Sequence, residues 1–135
     1  MQAGLVITLP AAVVTDMFAH ARDAAPRECC GLLIGKHDTV ARSVRARNLD
    51  ATATRYLIDP ADHFAAIRSA RTQELEVMGA YHSHPASAAI PSATDVAEAN
   101  SGADFLYLIV SLRDDEVLAY RIVDGQPVRI RHQVA

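Results

Sequence analysis

Tryptophan is absent from this chain of 135 residues, aromatic residues make up only 5% of it, and there are two cysteines. Because Cys29 and Cys30 are neighbours, they cannot cross-link distant segments, which excludes a secreted disulfide framework. No apolar run approaches the ~18–20 residues of a membrane span. No basic residue precedes the apolar stretch from Leu5 to Val14, as it would in a signal peptide. We therefore expect a soluble cytoplasmic protein.

The chain also lacks a strong charge of either sign, since its formal net charge is −3. No basic field points to nucleic acid as a partner. Hydrophobic residues make up 50% of the chain, and a chain of this length buries roughly two-thirds of its unfolded surface. Neither a repeat nor a linker interrupts the sequence, so we predict one domain over residues 1–135.

The pattern of apolar residues predicts helices interleaved with strands. Helices are expected to begin at Pro10, at Asp59-Pro60 and at Ser92, where capping residues or a first-turn proline stand. Several strand pairs have the spacing of hairpins, which favours a mixed sheet over a doubly wound parallel one. We predict an α/β fold with a mixed, largely antiparallel curved sheet and flanking helices. The expected strands cover residues 5–9, 29–34, 40–46, 77–82, 105–112, 117–123 and 128–131.

The segment from Tyr81 to Asp95 carries the strongest chemical signal. In a strand, residues two apart point to the same side, so His82 and His84 present two imidazoles on one face. A short loop after Pro85 leads to a helix whose first turn contains Asp95. Two imidazoles and a carboxylate are ordinary zinc ligands, and a catalytic zinc takes three protein ligands plus water.

A second interpretation of the same residues involves no metal. Ser92 and Asp95 have the spacing of a capping box, which explains both residues structurally. It does not explain the two histidines on one strand face just upstream. The remaining histidines are isolated and are expected to be structural or solvated; they are His20, His37, His63 and His132.

The pattern H-S-H-P-x6-S-x2-D from His82 to Asp95 resembles the signature of the JAMM (MPN) zinc metalloproteases without a departure. The segment Pro26-Arg27-Glu28-Cys29-Cys30-Gly31 resembles the upstream element that carries this family's glutamate. The resemblance covers residues 26–99 well and the flanks by layout only. It implies a JAMM/MPN-type fold.

The resemblance also implies a role for each matching residue. Zn²⁺ would be bound by His82, His84 and Asp95. Glu28 would hold the attacking water and transfer its proton, and Ser92 would stabilise the developing oxyanion. These roles agree with the chemistry, because zinc acidifies bound water and a nearby carboxylate serves as general base.

For Cys29 and Cys30 the sequence favours a packing role over a metal or thiol function, because both open an apolar strand. The chain has neither a His-x-x-x-His nor a Cys-x-x-Cys spacing. That absence argues against HExxH peptidases and against zinc nucleoside deaminases.

The substrate follows only from the resemblance. The compact chain and the segment from Tyr56 to Pro60 are similar to small stand-alone bacterial and archaeal members. That similarity implies hydrolysis after the C-terminal Gly-Gly of a ubiquitin-like or sulfur-carrier protein. The alternatives are a non-catalytic MPN scaffold, a DNA-repair-associated relative, and a peptidase of the cell-wall or phage-tail type. A scaffold would lack the metal ligands, and the DNA-repair relatives usually carry an extra DNA-binding region.

Overall fold

The computed structural model describes residues 5–50 and 52–135. Three helices alternate with seven strands along this part of the chain. The helices are α1 (Ala11–Ala24), α2 (Pro60–Thr72) and α3 (Ala93–Glu98). The strands are β1 (Val6–Leu9), β2 (Cys30–Lys36), β3 (Thr39–Ala46), β4 (Glu76–His84), β5 (Leu106–Ser111), β6 (Glu116–Val123) and β7 (Gln126–Val134).

The strands form one mixed sheet in the order β1-β3-β2-β4-β5-β6-β7, and β1 also pairs with β7, so the sheet closes on itself. Four of the pairings are antiparallel, whereas β1–β3, β1–β7 and β4–β5 are parallel. The predicted mixed, largely antiparallel curved sheet with flanking helices is therefore confirmed. Closure through β1 was not expected from the sequence.

The two central strands, β2 and β4, are covered on both faces. On one face, Leu33 and Tyr81 pack with α1 residues such as Met17 in the main core. On the other face, Leu32 and Ala80 pack against small residues of α2. This two-sided burial explains why β2 has a continuous apolar sequence instead of an alternating one.

The helix starts agree with the predicted ones. Asp59 caps α2 through its side chain and Pro60 occupies the first turn, while Ser92 caps α3. Two strands exceed their predicted lengths by more than one residue, because β4 continues through His84 and β7 extends from Gln126 to Val134, whereas β5 is shorter than predicted. Within the described ranges, no helix is long and apolar enough to cross a membrane.

Candidate metal centre

The register between β2 and β4 sets the first side of the site. Cys30 pairs with His82, and the strands continue one step further, because the Cys29 amide donates to Ser83 Oγ at 2.8 Å and the Ser83 amide donates to the Cys29 carbonyl at 3.1 Å. The same register puts Glu28 opposite His84. Side chains of directly opposed residues lie on the same face, so Glu28 and the two histidines share one face.

Cys29 and Cys30 are both buried and free, as the packing interpretation predicts. Cys29 belongs to the main core, on the face opposite the histidines. The Cys30 thiol donates to the Ala46 and Arg47 carbonyls at 3.9 and 3.7 Å. Burial raises the pKa of the Cys30 thiol to about 12, so it stays protonated and unreactive.

The turn between β4 and α3 is fastened to the core at several points. Ser111 donates its hydroxyl to the Ser87 carbonyl at 2.7 Å, and Tyr120 donates to the Ala89 carbonyl at 2.7 Å. Ala89 itself is fully buried. These contacts fold the chain back, so that the first turn of α3 lies beside the end of β4.

Asp95 then meets both histidines. Its Oδ2 atom lies 3.1 Å from His82 Nε2 and 3.1 Å from His84 Nε2, and the two nitrogens are 3.1 Å apart. A tetrahedral zinc with bonds of about 2.0–2.1 Å has ligand atoms roughly 3.3 Å apart. The three atoms, which we call the metal triad, are therefore close to the edge lengths of a zinc site, and they form a group that could hold a metal ion.

The hydrogen bond between His84 Nδ1 and the Ala88 carbonyl favours a cation between His84 Nε2 and Asp95 Oδ2. His84 Nδ1 lies 2.8 Å from the Ala88 carbonyl, which can only accept, so Nδ1 carries a proton. In the neutral ring, the lone pair of Nε2 would then face the Asp95 carboxylate and repel it unless a proton or a metal ion lay between. Burial opposes ionisation of Asp95, but in the metal-free protein hydrogen bonds from His82 and His84 in their protonated forms outweigh it and hold the pKa of this carboxyl well below its usual range.

Glu28 is buried, with only 6% of its surface exposed. Its Oε1 atom is also buried and has no hydrogen-bond partner among the described residues. Burial raises the pKa of this carboxyl to about 7, the His84 charge opposes the rise, and the charges of Asp95 and Asp50 add to it. A buried oxygen without a partner, next to a candidate metal site, and a raised pKa make Glu28 a candidate general base.

Ser92 has the capping geometry expected from its spacing. Its Oγ accepts the Asp95 amide at 3.0 Å, while Asp95 Oδ2 accepts the Ser92 amide at 2.9 Å. The capping box and the metal triad are thus compatible, because the same carboxylate oxygen takes part in both. The Ser92 hydroxyl proton has no acceptor among the described residues, and the side chain is exposed.

A cleft of about 400 Å³ opens next to Asp95. It runs between residues 55–58 on one side and α3 with the following loop on the other. Apolar side chains including Leu32 and Phe105 line it, and so does His63. The sequence placed His63 among the structural or solvated histidines, and its α2 position gives no local signal of a cleft.

The segment that forms one wall of the cleft pairs with the residues that directly follow β3. The Leu49 amide donates to the Leu57 carbonyl at 2.8 Å, and the Asp59 amide donates to the Arg47 carbonyl at 3.0 Å. In an extended segment, neighbouring residues direct their N–H and C=O groups to opposite sides. The main-chain groups of Tyr56 and Ile58 therefore point away from β3, and none of them has a partner among the described residues.

Asn48 ties this wall to the glutamate. Its amide donates to the Glu28 carbonyl at 3.0 Å and to the Arg55 carbonyl at 3.2 Å, and its oxygen accepts the Asp50 and Leu57 amides at 2.9 Å each. One side chain thus connects the general base candidate to the cleft. The sequence alone marked this stretch only as a polar loop.

The comparison with protein families decides the classification. The model of the family described as prokaryotic homologs of the JAB domain matches residues 10–123. The chain belongs to this family. It is a JAMM-type metallopeptidase with an MPN-like α/β fold.

Relatives with an assigned activity are similar over nearly the whole chain. The CysO-cysteine peptidase of Mycobacterium tuberculosis is 36% identical over 137 residues, which cover 95% of this chain and 93% of the relative. A probable TtuB-protein conjugate cleaving protease of Thermus thermophilus is 31% identical over 128 residues, covering 94% and 83%. A solution structure of a protein from Desulfitobacterium hafniense has a TM-score of 0.88 at 32% identity and covers 96% and 93% of the two chains.

Proposed function

We propose that this chain is a zinc-dependent peptidase that hydrolyses the bond after the C-terminal Gly-Gly of a ubiquitin-like or sulfur-carrier protein. The observation that carries the proposal is the metal triad next to Glu28, whose buried Oε1 atom has no hydrogen-bond partner among the described residues. Asp95 of this triad lines a cleft that has a free main-chain edge. Similar proteins named for CysO-cysteine and TtuB-conjugate cleavage support this substrate class.

The triad would bind the ion through His82 Nε2, His84 Nε2 and Asp95 Oδ2. A bound zinc ion would supply a Lewis acid that polarises the scissile carbonyl and acidifies water. The Ala88 carbonyl fixes the tautomer of His84, so that Nε2 keeps its lone pair for the ion.

Glu28 would serve as general base and then as general acid. Its free Oε1 accepts a proton from the attacking water, and the protonated carboxyl delivers that proton to the leaving amine. Burial raises the pKa of Glu28 above its usual value in the metal-free protein, which favours a carboxylate that can accept a proton.

Ser92 would donate its hydroxyl proton to the oxygen of the tetrahedral intermediate. Its Oγ already accepts the Asp95 amide, which holds the side chain in one orientation while leaving the proton available. A fixed hydroxyl donor of this kind contributes a few kcal/mol to transition-state stabilisation in other hydrolases.

The free edge at Tyr56 and Ile58 explains how a carrier tail would be aligned. An extended peptide can add to it as a strand, with main-chain hydrogen bonds that do not depend on side chains. Glycines at the cut would let the backbone approach the triad closely. The segment before Tyr56 is short, which leaves little surface for reading a ubiquitin linkage and favours a monomeric carrier.

The decisive experiment is mass spectrometry on a carrier protein extended by one amino acid or a short tail beyond Gly-Gly. We expect zinc-loaded protein to remove the extension, and we expect a chelator or the Glu28→Gln variant to block the reaction. A carrier ending in Ala-Ala before the extension is the matched control and should be cut far more slowly.

Two outcomes would contradict the proposal. Cleavage of unfolded proteins or cell-wall peptides with the carrier untouched would favour the cell-wall or phage-tail type of peptidase. Binding of the carrier without cleavage, at full zinc occupancy, would favour the scaffold function.

A further inference from the structure

Tyr56 lies outside the residues that the JAMM signature covers, yet its side chain contacts the metal triad. Its ring stacks on the imidazole of His82, with centroids 4.3 Å apart and an angle of 20° between the planes. The side chain is half-buried and lines the cleft together with Asp95.

Two groups restrain the His82 ring from different directions. Asp95 Oδ2 meets the ring edge at Nε2, whereas Tyr56 covers a ring face. Nε2 can reach a metal ion only in a narrow range of ring orientations, and stacking limits rotation about the Cβ–Cγ bond. The phenol thus fixes a ligand in the way that other supporting contacts fix metal-binding histidines.

The Tyr56 hydroxyl is available for a second role, as a hydrogen-bond donor to a bound peptide. It has no hydrogen-bond partner among the described residues, although the side chain faces a cleft. It belongs to the same residue whose main-chain N–H and C=O are free, so a peptide that adds along this edge passes next to the phenol. A glycine tail offers only main-chain groups, and a phenol O–H is a donor for a peptide carbonyl.

We propose that Tyr56 acts twice in this site: its ring positions His82 for metal binding, and its hydroxyl donates to a main-chain carbonyl of the substrate tail. The second role rests on the proposed function, since it requires a tail in the cleft. The first requires only that the triad binds a metal ion.

Two variants separate the roles. Tyr56→Phe keeps the stacked ring and loses the hydroxyl, whereas Tyr56→Leu loses both. Zinc affinity is measured by competition with a chromogenic chelator. Tail affinity is measured by calorimetry, with metal-free protein and a six-residue peptide that ends in Gly-Gly amide.

For Tyr56→Phe we expect unchanged zinc affinity and about fivefold weaker peptide binding, which is the effect of one net hydrogen bond. For Tyr56→Leu we expect about tenfold weaker zinc binding or more, in the range seen when supporting contacts of a metal ligand are removed. In steady-state kinetics the Phe variant should raise KM more than it lowers kcat.

Tyr81→Phe is the matched control, because it also removes one phenol hydroxyl, from the residue that precedes His82 in the chain and lies on the opposite face of β4. That hydroxyl contacts His20 Nδ1 at 2.7 Å, so its loss should lower stability and leave both affinities within twofold of wild type.

Each half of the proposal has an outcome that overturns it. Equal zinc affinity in wild type and Tyr56→Leu removes the positioning role, and equal peptide affinity in wild type and Tyr56→Phe removes the donor role. If wild type neither binds the peptide nor cleaves the carrier, the proposed function fails and the donor role fails with it. If wild type does both, a negative Tyr56 result leaves the proposed function standing.

Discussion

The two faces of β4 near its end are both buried, but they differ in the contacts that their side chains make. On one face, Tyr81 packs in the main core and Ser83 bonds to the Cys29 amide. On the other face, His82 and His84 converge on an aspartate from another element. On the first face the polar groups of Tyr81 and Ser83 have hydrogen-bond partners, whereas the second face brings together groups that could hold a metal ion.

Alternate residues of β4 point to opposite faces, so the residues that stabilise the fold lie on one face and the candidate site residues lie on the other. Substitutions on the core face should change the free energy of unfolding and spare the chemistry. Substitutions on the site face should do the opposite. The following predictions test that separation, beginning with the largest expected effect.

Asp95→Ala should remove most of the bound metal and reduce turnover below detection, because the triad loses its charged ligand. His84→Ala should have the same effect. The fold should persist, with a loss of only ~1 kcal/mol from the broken capping box in the Asp95 variant. Elemental analysis and circular dichroism check both parts. Full zinc occupancy in either variant would show that the ligand assignment is wrong.

Glu28→Gln should retain zinc and abolish turnover, since an amide can hydrogen-bond water but cannot take its proton. It should also stabilise the metal-free protein at pH 8. Burial raises the folded-state pKa of Glu28 from 4.5 to about 7, so wild type loses stability as pH rises through this interval.

The glutamine carries no such penalty, and we expect a gain on the order of 1 kcal/mol at pH 8 that disappears below pH 4.5. Denaturant unfolding at both pH values, without metal, measures it. An unchanged turnover would remove Glu28 from the mechanism, and a gain of equal size at both pH values would show that its charge is not the cause.

Ser92→Ala should slow the reaction by roughly 10²–10³-fold, as the loss of an oxyanion donor does elsewhere. Ser92→Gly is the matched control, because glycine is still a good N-cap residue for α3 but has no side-chain donor. Both variants should show the same rate loss, while the alanine should lower stability more than the glycine. A rate change below threefold would leave Ser92 its capping role alone.

Gly31→Ala tests the core face. A Cβ atom at this position would lie 2.2 Å from the Tyr81 ring and 2.5 Å from the Val44 carbonyl, so the strands must shift. We expect a loss of about 2–3 kcal/mol in the free energy of unfolding, with zinc affinity within twofold of wild type. Adding Tyr81→Leu should recover part of the loss. A strong fall in zinc affinity at unchanged stability would contradict the separation of the two faces.

The sequence predicts those parts of the site that depend on local geometry. The two-residue spacing of His82 and His84 defines a common face, and the capping pattern defines where α3 begins. Asp95 follows from these two, because the turn between them is short. The assignment of catalytic roles to Glu28 and Ser92 stays a prediction, since geometry alone does not test turnover.

The sequence does not predict contacts between segments without a local pattern. Asn48 binds the Leu57 amide and the Glu28 carbonyl, and these contacts hold the segment with Tyr56 close to the end of β4. The closure of the sheet depends on β1, which meets β3 at a single register position, Thr8 with Thr39. Apolar periodicity gives the faces of a strand but not its neighbours, so such pairings appear only in three dimensions.

The anchored turn between β4 and α3 has a consequence for anyone who would transplant this centre into another protein. Its shape is maintained by Ser111 and Tyr120, which belong to a hairpin and take no part in the chemistry. A host protein that received only the ligand motif would lack the contacts that hold Asp95 at its distance from the two histidines. The smallest segment that could be transferred with this geometry therefore includes the β5–β6 hairpin, because its side chains hold the turn that sets this distance.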